Sequence, residues 1–163
     1  MTVIDRIDPF AENKDDVHVI IDTPRGSRNK LKWDRELGVL KLSHVLTAGA
    51  VFPFDFGFVP GTYGPDGDAL DVLVLTDEPL FPLCLVQGRL IGVIEAEQTQ
   101  KGKTIRNDRM VAVAVGSRLY AKVTTSMTCR QRSWTRSSSF SSTTTKCAGV
   151  CSSRPRGVAR QRG

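Results

Sequence analysis

Three carboxylates, Asp66, Asp68 and Asp71, stand in the segment Asp66-Gly67-Asp68-Ala69-Leu70-Asp71, directly before the apolar run Val72-Leu73-Val74-Leu75. Gly67 allows the backbone to turn tightly, so that neighbouring side chains can converge. Converging carboxylates repel one another unless a cation lies among them, and hard oxygen donors suit magnesium or calcium. Asp and Gly are also common turn residues, so spacing alone leaves a solvated acidic turn equally open. A calcium EF-hand loop is disfavoured, because Asp71 and a strand occupy the place where that loop needs glycine.

The flanks of this turn carry more information. Val51-Phe52-Pro53-Phe54-Asp55-Phe56-Gly57-Phe58-Val59-Pro60-Gly61-Thr62 leads in, and Asp71-Val72-Leu73-Val74-Leu75 leads out. With Asp22-Thr23-Pro24-Arg25-Gly26-Ser27-Arg28-Asn29-Lys30, they resemble the soluble family I inorganic pyrophosphatases. The resemblance implies a five-stranded OB-type β-barrel and hydrolysis of pyrophosphate to two phosphates with Mg2+ as cofactor. It also implies a homo-oligomer, usually a hexamer in bacteria; the location expected by default is cytoplasmic.

Residue by residue, the resemblance gives Asp66 and Asp71 as metal ligands and Asp68 as the carboxylate that takes a proton from the attacking water. Lys30 matches a phosphate-binding lysine, with Arg28 beside it as a further substrate contact. Asp22 matches an acidic residue at the end of the first strand and joins the metal set. In Glu95-Ala96-Glu97-Gln98 and Ile105-Arg106-Asn107-Asp108-Arg109, the available metal-ligating acids are Glu97 and Asp108, and Arg109 fits a basic catalytic and phosphate-binding position. Aligned from the following strand without a gap, Asn107 rather than Asp108 takes the carboxylate position. An exposed charged hairpin loop accounts for the same residues without any chemistry. Four residues depart from the common pattern: Ala69 for Pro or Glu, Lys32 for Glu, His44 for Arg and Phe56 for Tyr. Losing the phenolic hydroxyl removes one hydrogen bond to phosphate. His18 reads as structural and Cys84 as a packed, inert thiol.

The elements that must position these residues are short strands. Val17–Ile21 and Val72–Thr76 read as buried strands, Leu85–Ile94 and Met110–Val115 as two more. Lys30–Asp34 and Val39–Ser43 read as a hairpin turning at Glu36-Leu37-Gly38. Thr47 to Asp68 reads as a loop rich in Gly, Pro and aromatic residues. At least five short strands with no long helical pattern predict a mainly β (α+β) chain and a small barrel.

The chain has 163 residues, enough for one domain with its own core. Its net charge of +6 is unevenly spread. Residues 1–123 carry 15 Lys/Arg against 17 Asp/Glu, whereas residues 124–163 carry seven Arg, one Lys and no acid. The predicted domain is therefore 1–123, followed by a basic Ser/Thr/Arg-rich tail, 124–163, expected to be disordered. An OB-type nucleic-acid module with a basic tail, or an inactive metal- and phosphate-binding relic, would share the barrel. The net −2 of the body and its acidic turn argue against a nucleic-acid partner. No apolar run is long enough to span a membrane, and the first residues do not read as a signal peptide.

The tail also reads as the product of a shifted frame. Taken one base earlier, each codon acquires its second base from the first base of the residue written here. That places apolar side chains at 129, 133, 134, 137, 140 and 141, a helical spacing. One codon choice yields an amphipathic helix resembling the family's C-terminal helix, including a Tyr and a Lys that reach the phosphate site. The chain as written lacks those groups, so low stability and weak turnover are expected of it.

Overall fold

In the computed structural model, the described residues are 2–13, 15–64, 67–100, 103–124, 127–130 and 134–135.

Five strands close into a barrel: β1 (Asp16–Thr23), β4 (Asp55–Phe58), β5 (Asp71–Leu75), β9 (Arg109–Ala114) and β6 (Leu85–Glu95). The order runs β1-β4-β5-β9-β6, and β6 pairs back onto β1. Only the β5–β9 step is parallel within this ring; β1–β4, β4–β5, β9–β6 and β6–β1 are antiparallel. Alternation explains the core: Val17, Val19 and Ile21 of β1 point inward at every second position and meet Val72, Val74, Val86 and Ala112. Apart from Ala112, these side chains are β-branched, which suits a pleated, buried surface.

The predicted loop 47–68 contains β4, a stave of the barrel. The sequence lacks the alternation that marks a half-buried strand because all four residues, Asp55 to Phe58, are buried. Gly57 lies in register with Ile21, and a Cβ there would collide with the Ile20 carbonyl. Glycine therefore permits the close approach of β4 to β1 that closes the barrel.

The hairpin of β2 (Asn29–Asp34) and β3 (Val39–Val45) forms where expected, but as a separate two-stranded sheet outside the ring. Thr23, fully buried at the end of β1, joins it to the barrel: its hydroxyl accepts from the Leu31 N–H at 3.0 Å and donates to the Leu31 carbonyl at 3.3 Å. A second hairpin, β7 (Glu97–Gln100) and β8 (Lys103–Arg106), extends beyond β6.

Within residues 124–163, two short strands lie among the described residues. Met127–Arg130 (β10) runs parallel to Gly92–Glu95, and Trp134–Thr135 (β11) runs parallel to Gln98–Thr99. A ladder uses backbone groups, so a sequence without an apolar pattern can still form one. The rest of the tail lies outside the described residues. No helix among the described residues is long and apolar enough to cross a membrane.

Candidate active site

Thr23 holds β2 across the end of β1, and this sets Lys30 over Asp22. The Lys30 ammonium lies 3.3 and 3.4 Å from the two Asp22 carboxylate oxygens. It also sits 3.4 Å from the centre of the Phe56 ring and 5.7 Å from that of Phe52. Burial pushes the Asp22 carboxyl up to about 6, with the Lys30 charge opposing the rise. Burial lowers the Lys30 pKa, while the charges of Asp22 and Asp71 act against that. The pair is thus a buried cation beside a buried anion, the charge of each opposing the cost of burying the other.

Arg109 approaches the same ring from the first residue of β9, its guanidinium carbon 5.8 Å from the Phe56 centre. Its Nε lies 3.8 Å from an Asp71 carboxylate oxygen. β5 and β9 are parallel neighbours, with Val72 opposite Met110, which brings Asp71 and Arg109 to the same barrel end. Asp22, Lys30, Asp71 and Arg109 therefore form one alternating cluster of charge over a hydrocarbon floor. His44 stands across the hairpin from Lys30.

Asp71 also lines a cavity of about 230 Å³, shared with Arg106, Asn107 and Asp108. Within it, Asp108 accepts from the Ala96 N–H at 3.2 Å and from the Arg106 guanidinium. Arg106 in turn pairs with Glu95 at 3.3 Å. Asn107 donates its backbone N–H to the Ala96 carbonyl at 2.8 Å. Both residues that compete for the third carboxylate position thus face the cavity, with Asp108 already carrying two hydrogen bonds.

The remaining expected residues spread around this centre. Asp68 is exposed and accepts a charged hydrogen bond from Lys32 at 2.6 Å. Arg28 donates to the Leu46 carbonyl at 3.0 Å, at the foot of the hairpin. Glu97 opens β7, in register with Arg106, and is exposed. Asp66 lies outside the described residues. His18 bonds through Nδ1 to the Asp8 carbonyl at 2.8 Å, and Cys84 packs against the main core.

One buried carboxylate escaped the sequence reading. Asp55 is wholly buried and accepts from the Arg25 N–H at 2.8 Å, the Leu80 N–H at 3.3 Å and the Thr76 hydroxyl. The Arg25 side chain reaches the Thr76 and Asp77 carbonyls at 3.3 and 3.0 Å. Asp55 is thus an anchor for the turn after β1. Only its position between two Phe residues hinted at burial.

A divalent cation fits the chemistry of these donors. Asp71 and Asp108 face one cavity with hard oxygens, and the buried Asp22 carboxylate carries a desolvation cost that nearby positive charge relieves. Among the described residues, no three carboxylate, imidazole or thiol side chains stand close enough to enclose an ion by themselves.

A family model described as inorganic pyrophosphatase matches residues 19–153. The inorganic pyrophosphatase of Thermus thermophilus is 44% identical over 86 residues, covering 53% of this chain and 49% of that protein. That of Streptomyces coelicolor is 42% identical over 95 residues, covering 58% and 56%. The chain thus spans about half the length of the curated relatives it matches. Among solved structures, the Thermus thermophilus inorganic pyrophosphatase superposes with a TM-score of 0.67 at 31% identity, over 76% of this chain and 69% of that one. An inorganic pyrophosphatase from Helicobacter pylori gives 0.64 at 28% identity, over 74% and 69%.

Proposed function

The chain belongs to the inorganic pyrophosphatase family, and from that premise we propose that it is an inorganic diphosphatase, hydrolysing pyrophosphate to two phosphates with magnesium. The observation that carries this reading is the cluster of Lys30 and Arg109 on Phe56, flanked by Asp22 and Asp71. A small polyanion needs converging cations that are already held in place, and both of these are largely withdrawn from solvent.

In this reading, Asp66, Asp71 and Asp22 hold magnesium, with Asp108 or Asn107 completing the set and Glu97 at its edge. The chemistry magnesium supplies when bound is neutralisation of phosphate charge and acidification of the attacking water. Asp68 takes the proton that this water loses as its oxygen bonds to phosphorus. Lys30, Arg109 and Arg28 bind the phosphates, and the first two meet the charge that grows on the bridging oxygen as the P–O bond breaks. Phe56 keeps water from one side of the two cations, which strengthens their pull on the substrate.

Residues 1–123 carry the reaction, and residues 124–163 stand for an out-of-frame segment that lowers stability and turnover. Copies associate as a cytoplasmic homo-oligomer, a hexamer by family resemblance. Exposed Leu37, Leu42 and Val45 on the hairpin support association.

The test is phosphate release from pyrophosphate by the purified chain, with and without magnesium, beside Asp68→Ala and a chain with the alternative frame after Val123. Magnesium-dependent release that Asp68→Ala abolishes supports the assignment. Release by the frame-altered chain alone places the defect in residues 124–163. Absence of release from both folded proteins refutes the activity.

A further inference from the structure

Lys32 is a second cation on the site side of β2. The register of the hairpin passes from Lys30 opposite His44 to Leu31 opposite Leu42, so the extra residue, Ser43, lies on β3. β2 keeps its alternation, and Lys30 and Lys32 share one face about 7 Å apart along the strand. They are nevertheless held differently. Lys30 is buried between Asp22 and Phe56, whereas Lys32 is 54% exposed and pairs at 2.6 Å with Asp68, itself 51% exposed.

An ion pair this open to water adds little net stability, because solvent and salt screen both partners. Its ammonium can therefore change partner at small cost when a more highly charged anion arrives. Pyrophosphate bound by Lys30 is such an anion, and a lysine two residues along the same strand face can reach its other end. Lys binds phosphate as a point charge, and the higher charge of pyrophosphate compared with a single carboxylate favours the exchange.

Resting on the function proposed above, we infer that Lys32 is a further substrate-binding residue: its ammonium rests on Asp68 and transfers to a phosphate of pyrophosphate as the substrate enters. No covalent bond changes in this step. The exchange has a second effect, since it releases the Asp68 oxygen that Lys32 had engaged at the moment the substrate is in place.

The experiment uses the full chain, its Lys32→Met and Lys32→Arg variants, and imidodiphosphate, a pyrophosphate analogue with a nitrogen bridge, titrated calorimetrically in magnesium. Steady-state hydrolysis of pyrophosphate is followed in parallel. Loss of one charged contact in Lys32→Met weakens imidodiphosphate binding and raises KM by about tenfold, with melting temperature unchanged, and Lys32→Arg restores most of the affinity. If the parent chain binds the analogue and Lys32→Met binds it equally well, the inference falls while the proposed function stands. A lowered melting temperature with unchanged affinity would likewise reduce Lys32 to a staple for the acidic turn. If the parent chain neither binds the analogue nor hydrolyses pyrophosphate, the proposed function fails and this inference with it.

Discussion

The Lys30 ammonium and the Arg109 guanidinium share one aromatic ring, Phe56, at 3.4 and 5.8 Å from its centre. Two cations brought to one floor repel, and the face of the ring, together with Asp22 and Asp71, offsets that repulsion. Replacing Phe56 by Leu keeps apolar bulk but removes the negative face of the ring. We expect a loss of about 2 kcal/mol in urea denaturation, with a higher KM for pyrophosphate. A variant as stable as the parent would show that the ring serves only as filling.

Asp22 gives the protein a pH signature of its own. Burial raises its carboxyl from 3.8 to about 6 in the folded state. The folded chain then binds this proton more tightly than the unfolded chain between those values, so the Asp22 contribution to stability falls as pH rises from about 4 to 6. Asp5, Asp34 and Asp77, held low chiefly by hydrogen bonds from Thr2, Leu37 and Ser117, act in the opposite sense at lower pH. Comparing Asp22→Asn with the parent chain in chelator isolates the Asp22 contribution. Their stability difference should change across about pH 4–6 and level off above it, and a flat difference would count against a buried, raised carboxyl.

Two buried positions test the barrel's closure. Asp55→Ala strands the Arg25 and Leu80 N–H groups and the Thr76 hydroxyl, at a cost of about 3 kcal/mol. Gly57→Ala drives a methyl group into the Ile20 carbonyl and should cost at least about 2 kcal/mol by separating β4 from β1. Both are read by chemical denaturation, and a neutral Gly57→Ala would contradict the close packing of these strands.

Placing the alternative frame after Val123 should raise both the melting temperature and the rate of phosphate release. The coding DNA offers an independent check. If the downstream frame encodes no amphipathic helix, the shifted-frame reading of residues 124–163 is wrong.

Much of this architecture was legible because its strands carry branched apolar runs between turn residues. β1, β5, β6 and β9 announce themselves in this way, and so does the β2–β3 hairpin around Gly38. β4 did not, because a strand of two Phe, a buried Asp and a Gly has no alternation and resembles loop chemistry. The site residues were readable as types, since carboxylates and cations near a glycine turn suggest phosphate and metal chemistry. Their pairing was not. Nothing in the sequence says that Lys30 lies on Asp22 while Lys32 lies on Asp68, because that depends on how Thr23 docks β2 against β1. The division of labour between Asn107 and Asp108 was equally hidden: both reach the cavity, and only geometry records that Arg106 already engages Asp108.

Arg89, on β6, donates through one terminal nitrogen to the carbonyls of both Ala121 and Val123, each at 3.2 Å. This contact fixes the point on the barrel from which all later residues depart. Both acceptors are backbone carbonyls of residues up to Val123, so the contact draws on no side chain beyond that residue. A change of message after Val123 therefore leaves every group of this clasp in the chain.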